Sequence, residues 1–188
     1  MLEKGLVQIY TGDGKGKTTA GLGLALRAAG QGNNVLIYQF LKPPSLDIGE
    51  RLALSSLQSI KVEALDVQWD MTTSPKGAKS PKDHKAVAAV QSAIHESLEQ
   101  LAKRATKRDF DVLILDEIVY CVAKGLAKLE NVKKVIEDRD KHVEIVLTGR
   151  GATKELIALA DLVTEMKNIK HPFDNPGAPG EARRGIEF

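Results

Sequence analysis

Short apolar segments rich in strand-forming residues alternate along this chain with longer segments in which apolar residues recur at helical spacing. The apolar segments predict six strands, over residues 6–10, 35–40, 60–65, 112–116, 143–148 and 162–166. Most of these strands are short, continuous apolar runs, which favours burial on both faces of a sheet.

Helical spacing predicts four helices, over residues 17–31, 83–107, 131–139 and 154–160. The second helix carries a single apolar stripe that we expect to face the core, formed by Val87, Val90, Ile94, Leu98 and Leu101. Strands and helices that alternate in this way are typical of βαβ units around a parallel sheet. We therefore expect one α/β domain over residues 1–188, with a mainly parallel sheet of about six strands.

Composition and charge exclude several broad classes of protein. The 188 residues, 43% of them hydrophobic, suffice for one well-buried core, and a formal net charge of +2 argues against wholesale binding of nucleic acid or membrane. Cys121 is the single cysteine and cannot form an intramolecular disulfide. We find neither a signal peptide nor an apolar run of about 18 residues, so we expect a cytoplasmic protein. The four histidines have no ligand spacing, so we expect no transition-metal site.

Three polar segments each leave two interpretations open. Residues 68–81 and the tail from residue 168 lack periodicity, and long loops of this kind are either substrate lids or disordered. A basic run over residues 103–108 predicts the solvated end of a helix, where positive charge complements the helix dipole. Steering of phosphate towards the protein is the alternative for that run.

A glycine-rich loop connects the first predicted strand to the first predicted helix. It consists of Thr11, Gly12, Asp13, Gly14, Lys15, Gly16, Lys17, Thr18 and Thr19. Glycines allow backbone N–H groups to converge on an anion, Lys17 can reach phosphate oxygens, and the Thr18 hydroxyl can bind Mg²⁺. Thr11 stands where the usual pattern has glycine, so the glycine-initiated loop is one residue shorter than usual. We predict that this loop binds ATP, with a merely flexible turn as the alternative.

A second, acidic element ends the fourth predicted strand, where four apolar residues precede Asp116 and Glu117. A buried strand delivers both carboxylates to the same edge of the sheet as the loop, where they can hold Mg²⁺ directly or through water. Together the two motifs predict a P-loop NTPase-like (RecA-like) three-layer fold with a site for ATP and magnesium. They leave open whether the protein is an ATPase, a kinase or another enzyme.

Further motifs follow one another in order along the whole chain. They are the strand end Gln39, Phe40, Leu41 and Lys42, the segments 49–51 and 147–151, Tyr120 after the acidic pair, residues 160–166, and the terminal segments 170–173 and 185–188. With the shortened loop, they resemble the P-loop ATP:corrinoid adenosyltransferases, which adenosylate cob(I)alamin and cob(I)yrinic acid a,c-diamide. The terminal segments are the most specific to that family, because nucleotide binding alone does not require them.

The resemblance implies transfer of the 5′-deoxyadenosyl group of MgATP to the Co(I) of a corrinoid, with release of triphosphate, in the biosynthesis or salvage of adenosylcobalamin. Thr18 and Glu117 are then the expected magnesium ligands, with Asp116 as a supporting carboxylate. Lys17 would stabilise the leaving triphosphate, and Arg150 would contact phosphate or the corrin periphery. The resemblance also places Arg51 beside the corrinoid.

An aromatic loop in this family removes the lower axial ligand of cobalt, which makes the reduction of Co(II) to Co(I) easier. Trp69 lies where the family carries a tryptophan, whereas Val67 replaces the phenylalanine that usually lies two residues earlier. The resemblance therefore implies that both residues contact the corrinoid, with a weakened aromatic wedge. A packing role is the alternative for Trp69.

The resemblance also implies partners: a flavin-type electron donor, a second copy of the chain in a homodimer, and cobalamin, cobinamide or cobyrinic acid diamide as the corrinoid. Two other functions remain compatible with the motifs. A P-loop ATPase or kinase would share the loop and the acidic pair, and it would release ADP. A non-catalytic regulator would bind ATP and corrinoid without turnover.

Overall fold

The computed structural model describes residues 3–69, 81–170 and 183–186. Its strands are β1 (Val7–Thr11), β2 (Val35–Gln39), β3 (Ile60–Ala64), β4 (Val112–Asp116), β5 (Glu144–Thr148) and β6 (Leu162–Glu165). All neighbouring pairs run parallel, and the strands lie in the order β3-β2-β4-β5-β1-β6. The predicted α/β class and the six-stranded parallel sheet are confirmed.

Helices cover both faces of this sheet. They are α1 (Lys17–Gly30), α2 (Gly49–Leu54), α3 (Pro81–Thr106), α4 (Ile118–Ala123), α5 (Leu129–Glu137) and α6 (Lys154–Ile157). Strand side chains alternate between two apolar clusters, because successive residues of a strand point to opposite faces. Leu113 and Leu115 of β4 pack with residues of α3, α4 and α5, whereas Val112 and Ile114 pack with residues of α1 and α2. The predicted three-layer arrangement is confirmed, and the predicted stripe of α3 is buried.

Several elements differ from their predicted form. The spacing does not predict α2 or α4, because each is six residues long, too short for a helical period to show. The helix α3 begins at Pro81, before its predicted start, since proline is tolerated in the first helical turn. Residues 70–80 of the predicted irregular loop, and residues 171–182 and 187–188 of the predicted irregular tail, lie outside the described residues.

The last strand, β6, is an exception to the burial that was predicted for most of the strands. It lies at the edge of the sheet and pairs with β1 alone, and all four of its residues are exposed. Leu162 and Val163 keep 43% and 39% of their surface in solvent.

The basic run at the end of α3 is paired within the fold. Arg104 donates two hydrogen bonds to the carboxylate of Glu63 on β3, at 2.9 and 3.2 Å, and its guanidinium lies over the ring of Phe110. Arg108 donates to Asp111 at 2.9 Å. The run therefore lies at the predicted helix end, with Lys103 and Arg104 in the last turn of α3, and its arginines also pair with carboxylates of the fold.

The carboxyl ends of four neighbouring strands meet at one edge of the sheet. The register pairs Gln39 with Asp116 across β2 and β4, and Tyr10 with Thr148 across β1 and β5. The glycine-rich loop leaves β1 at this same edge, so loop and acidic residues lie together, as ligand sites of parallel sheets do. Among the helices of the described ranges, none combines the length and the apolar character that crossing a membrane demands.

Candidate functional site

A cleft with a volume of about 490 Å³ opens where the four strands end. Residues 13–19 of the glycine-rich loop line it, together with Leu22, Lys42, Gly49, Glu50, Glu117, Arg150, Gly185 and Ile186. The structure thus brings most of the predicted phosphate loop together with Glu117 and Arg150. Six predicted site residues lie outside the lining: Thr11, Gly12, Arg51, Val67, Trp69 and Asp116.

The helix α1 starts inside the cleft with an electropositive end. Gly16 precedes it in a left-handed conformation, with φ of 111°, which a residue with a side chain rarely adopts. Within the described residues no side chain caps this end of α1, and its first turn carries no acidic residue. The first N–H groups of a helix have no acceptor within the helix, and the helix dipole adds partial positive charge. This end of α1 is therefore suited to bind an anion.

The first glycines of the loop also contact another part of the protein, and their predicted contribution to ATP binding stays a prediction. The N–H of Gly14 donates to the carbonyl of Met166, just after β6, at 2.7 Å. A Cβ atom on Gly12 would lie 2.3 Å from that same carbonyl oxygen, and one on Gly14 would lie 2.8 Å from it. These glycines therefore allow the chain after β6 to pack on the loop, and the N–H of Gly14 is used there.

Thr11, the residue in the usual glycine position, also binds within the protein. Its hydroxyl accepts a hydrogen bond from the N–H of Ala152 at 3.2 Å, and its carbonyl accepts one from the N–H of Met166 at 2.8 Å. Only 7% of its surface is exposed. The contribution of Thr11 to nucleotide binding stays a prediction, and its contacts join β1 to two neighbouring segments.

Lys17 lies at the floor of the cleft, largely buried. Its ammonium donates to the carbonyl of Gly14 at 2.6 Å, so the side chain folds back over the loop. Burial lowers the pKa of Lys17, and the positive charge of Arg150 lowers it further. An anion bound between these two cations would relieve their repulsion.

Asp116 is the centre of a hydrogen-bond network beneath the cleft. One carboxylate oxygen, Oδ1, accepts from the hydroxyls of Thr18 and Thr148, at 2.8 and 2.6 Å. The other, Oδ2, lies 2.6 Å from the ammonium of Lys42. Only 1% of Asp116 is exposed. Both oxygens are therefore engaged, which makes Asp116 a carboxylate that orients its neighbours.

Glu117 projects from a strained backbone position between β4 and α4. Its φ of 67° places a residue with a side chain in the left-handed region, at a cost of about 1–3 kcal/mol. Its N–H donates to the Thr148 hydroxyl at 3.0 Å, which helps to hold this conformation. Burial raises the pKa of Glu117, the charge of Asp116 raises it further, and the positive charge of Lys42 is the largest influence that lowers it.

The donor atoms at this point of the cleft fit Mg²⁺. The hydroxyl of Thr18 and the carboxylate of Glu117 are hard oxygen ligands, the kind that Mg²⁺ prefers, and Asp116 supports them from beneath the cleft. Thr18 and Asp116 are in direct contact at 2.8 Å, and the raised pKa of Glu117 marks a carboxylate that a nearby cation would stabilise as the anion.

Sequence reasoning assigned no role to two residues that the structure places at the site. Lys42 lines the cleft and bonds Asp116 and Thr18, although the motif that contains it was recognised only as a family likeness. Thr148 bridges Asp116 and Glu117 from β5. A buried threonine that ends a strand beside the acidic strand was the available signal for Thr148.

Arg51 lies on α2 and bonds oxygens of the protein itself. Its guanidinium donates to the side chain of Gln39 at 2.7 Å and to the carbonyls of Lys42, Pro43 and Leu46, at 2.5, 2.8 and 3.2 Å. The contact to a corrinoid predicted for Arg51 stays a prediction. Its observed contacts fix the loop that follows β2.

Val67 and Trp69 lie after β3, apart from the lining of the cleft. Both are partly buried and pack against the larger apolar cluster. The indole Nε1 of Trp69 is buried and has no acceptor within the described parts of the chain. Packing is therefore observed for Trp69, while its contact with a corrinoid stays a prediction.

Comparisons with known proteins show which family this chain is similar to. The sequence profile of the family described as ATP:corrinoid adenosyltransferase BtuR/CobO/CobP matches residues 3–188. The corrinoid adenosyltransferase CobA of Salmonella typhimurium is 33% identical over 186 residues, which cover 99% of this chain and 87% of that protein. The corrinoid adenosyltransferase of Escherichia coli strain K12 is 32% identical over 187 residues, with the same two coverages. Among solved structures, the KaiC-like protein PH0186 of Pyrococcus horikoshii OT3 has a TM-score of 0.42 at 17% identity and covers 86% of this chain and 73% of its own.

Proposed function

The chain belongs to the ATP:corrinoid adenosyltransferase family BtuR/CobO/CobP, and from that premise we propose that it transfers the 5′-deoxyadenosyl group of ATP to the Co(I) of a corrinoid. The family match over residues 3–188 carries this proposal, because it extends beyond the loop and acidic pair that any P-loop enzyme would share. Triphosphate is the leaving group. The reaction belongs to the biosynthesis or salvage of adenosylcobalamin.

Residues of the cleft bind the triphosphate in this proposal. The cobalt electron pair forms the bond to C5′ of the ribose while the C5′–O bond breaks, and that bonding pair leaves on the triphosphate oxygen. The negative charge that develops is met by the N–H groups at the start of α1 and by Lys17, with Arg150 at the rim of the cleft. No group of the protein needs to accept a proton in this step.

Magnesium is the proposed cofactor, held by Thr18 and Glu117 with Asp116 in support. When bound, Mg²⁺ neutralises phosphate charge and fixes the phosphate chain. Asp116 already accepts the Thr18 hydroxyl, so it orients that ligand. The left-handed backbone at Glu117 directs its carboxylate towards the same cleft.

The corrinoid is proposed to lie against Val67 and Trp69, with cobalamin, cobinamide and cobyrinic acid diamide as candidate substrates. Both residues are only partly buried, so part of each side chain stays accessible to a ligand. We propose a flavin-type electron donor and a homodimer on the ground of the family likeness. The exposed apolar residues of β6 offer surface for a second copy.

One assay tests the proposal against both alternatives. The pure protein is incubated with chemically reduced cobinamide and MgATP, and the spectrum is followed to a light-sensitive adenosylated corrinoid. We expect triphosphate in equal amount to that product. Release of ADP would identify an ATPase or kinase instead. Binding of both substrates without product would identify a regulator.

A substitution at Lys17 tests the phosphate loop within that assay. Lys17→Ala removes the buried ammonium that meets the leaving charge, so we expect turnover to fall about a hundredfold or more while the fold persists. Lys133→Ala is the matched control, because Lys133 is a half-exposed lysine of α5 that pairs with Glu137 at 3.5 Å. Turnover near that of the wild type in folded Lys17→Ala would refute the assignment.

A further inference from the structure

Lys42 contributes a positive charge to the cleft and belongs to neither the glycine-rich loop nor the acidic pair. Its ammonium lies 2.6 Å from Oδ2 of Asp116 and 3.3 Å from the hydroxyl of Thr18. Asp116 is 1% exposed, whereas the Lys42 side chain keeps 21% of its surface in contact with solvent. Asp116 therefore holds the Lys42 ammonium from the buried side, and the Lys42 side chain remains open towards the cleft that it lines.

The backbone before Lys42 is turned in an unusual way. Leu41 follows β2 with φ of 56°, a left-handed conformation that costs a residue with a side chain about 1–3 kcal/mol. Its side chain is buried in the larger apolar cluster, so core packing holds the strained turn. The N–H of Phe40 donates to the carbonyl of Asp116 at 3.0 Å, which keeps the two strand ends together. The turn at Leu41 therefore directs the next residue, Lys42, towards Asp116.

Arg51 holds the other side of the same loop. Its guanidinium donates to the carbonyl of Lys42 itself and to those of Pro43 and Leu46. A fourth bond, from Nε to the buried side chain of Gln39, ties this clamp to the end of β2. One residue of α2 thus fixes the backbone that presents Lys42.

An ammonium carries three N–H bonds, and two of those of Lys42 point to Asp116 and Thr18. For the third, the described residues supply no acceptor. The neighbouring wall of the cleft consists of Lys17, Thr18 and the other loop residues that would bind phosphate. A phosphate oxygen in that position would meet Lys42 in a charge-assisted hydrogen bond, stronger than a neutral one.

We propose that Lys42 is a second catalytic cation of this enzyme and that Arg51 is the residue that positions it. The inference rests on the proposed function, because the bound anion is the triphosphate that leaves C5′. Lys42 keeps its bonds to Asp116 and Thr18, and its third N–H donates to a phosphate oxygen. As the C5′–O bond breaks, its electron pair goes to the triphosphate, and the ammonium meets that added charge.

The test separates binding of the anion from turnover. Inorganic tripolyphosphate, the leaving group alone, is titrated into wild type, Lys42→Met and Lys42→Arg by calorimetry in the presence of Mg²⁺. We expect Lys42→Met to bind tripolyphosphate about tenfold more weakly or worse, and Lys42→Arg to recover part of that loss. In the adenosylation assay, kcat of Lys42→Met should fall about a hundredfold, with a smaller change in KM for ATP.

Arg51 is tested by its coupling to Lys42. If Arg51 acts through Lys42, Arg51→Ala lowers kcat and tripolyphosphate affinity, and the double variant is no worse than Lys42→Met alone. A purely structural role for Arg51 would give additive losses and would overturn the positioning. Tripolyphosphate affinity and kcat of wild type in folded Lys42→Met would overturn the proposal for Lys42.

Two controls keep the result interpretable. Lys42→Met leaves the buried carboxylate of Asp116 without its cation, so the comparison is repeated in an Asp116→Asn background, where no counter-charge is needed. The loss of tripolyphosphate affinity should persist there, and its absence would count against Lys42. If the wild-type protein makes no adenosylated corrinoid, the proposed function fails, while the tripolyphosphate titration still decides whether Lys42 binds the anion.

Discussion

The hydroxyl of Thr148 lies 2.6 Å from Oδ1 of Asp116, so the end of β5 holds the carboxylate that ends β4. The same hydroxyl accepts the N–H of Glu117 at 3.0 Å. Because a hydroxyl has one donor and two acceptor positions, these two bonds fix its orientation. Thr148 is fully buried, so neither bond competes with solvent.

We predict that Thr148→Val destabilises the protein by about 1–3 kcal/mol, because the buried carboxylate of Asp116 and the partly buried N–H of Glu117 both lose a partner while side-chain volume is kept. The measurement is urea unfolding without magnesium. Thr148→Ser keeps the hydroxyl and is the matched control, with a smaller loss expected. Equal stabilities of Thr148→Val and the wild type would show that neither bond contributes.

The sequence was sufficient for the part of the site that depends on residue type and short spacing. The loop of residues 11–19 and the pair Asp116 and Glu117 carry their chemistry in consecutive positions, and alternating elements place both at one edge of a parallel sheet. The structure bears out that placement for Lys17, Thr18 and Glu117, which share the cleft.

The remaining contacts could not be predicted, because they join distant positions through local backbone conformation. Lys42 reaches Asp116 only because Leu41 is left-handed and Arg51 holds the loop carbonyls, and neither fact is visible in the spacing of residues. Gly14 looks like a phosphate-binding glycine in sequence, yet its N–H is used by Met166, 152 positions further along the chain.

A second prediction concerns the contact between Gly14 and Met166. Gly14→Ala would place Cβ 2.8 Å from the carbonyl oxygens of Met166 and Lys167, so we expect a loss of about 1–3 kcal/mol in the free energy of unfolding. Gly23→Ala is the control: it lies within α1 and its Cβ would meet nothing within 4 Å, so a gain of about 0.5–1 kcal/mol is expected. A Gly14→Ala variant as stable as Gly23→Ala would mean that the segment after β6 does not pack on the loop.

Glu117 gives a prediction with a defined pH dependence. Burial and Asp116 raise its pKa in the folded state, so between the ordinary pKa of glutamate and the raised one the folded protein binds more protons than the unfolded chain. Stability from this group therefore falls as pH rises through that window. Glu117→Gln removes the effect, and we expect the variant to be more stable than wild type by about 1 kcal/mol above the window.

Urea unfolding of both proteins over a pH series, without magnesium, measures this difference. It should vanish below the ordinary pKa of glutamate, where both states are protonated. Because glutamine keeps the left-handed strain, a difference that stays constant with pH would reflect packing and contradict the electrostatic explanation. In the adenosylation assay the same variant should lose activity and regain part of it at higher Mg²⁺, since one charged ligand is weakened.

The last prediction concerns the lower face of the corrinoid and joins Trp69 to Val67. If aromatic side chains displace the lower ligand of cobalt, a site with Val67 in place of phenylalanine excludes that ligand less completely. The protein should then use cobinamide, which lacks the lower nucleotide loop, better than cobalamin. We expect Val67→Phe to narrow the difference in kcat/KM between the two corrinoids and Trp69→Ala to widen it.

We expect Val67→Phe and Trp69→Ala to leave the affinity for ATP nearly unchanged. Val67 and Trp69 pack on the apolar cluster and do not line the cleft, so the ATP affinity of each variant should stay near that of wild type. The measurement is kcat/KM for both corrinoids with a mild flavin donor, because strong chemical reduction would bypass the step. Val67→Leu controls for added volume without an aromatic ring. If wild type, Val67→Phe and Trp69→Ala share one cobinamide-to-cobalamin ratio, Trp69 is a packing residue and another part of the protein excludes the lower ligand.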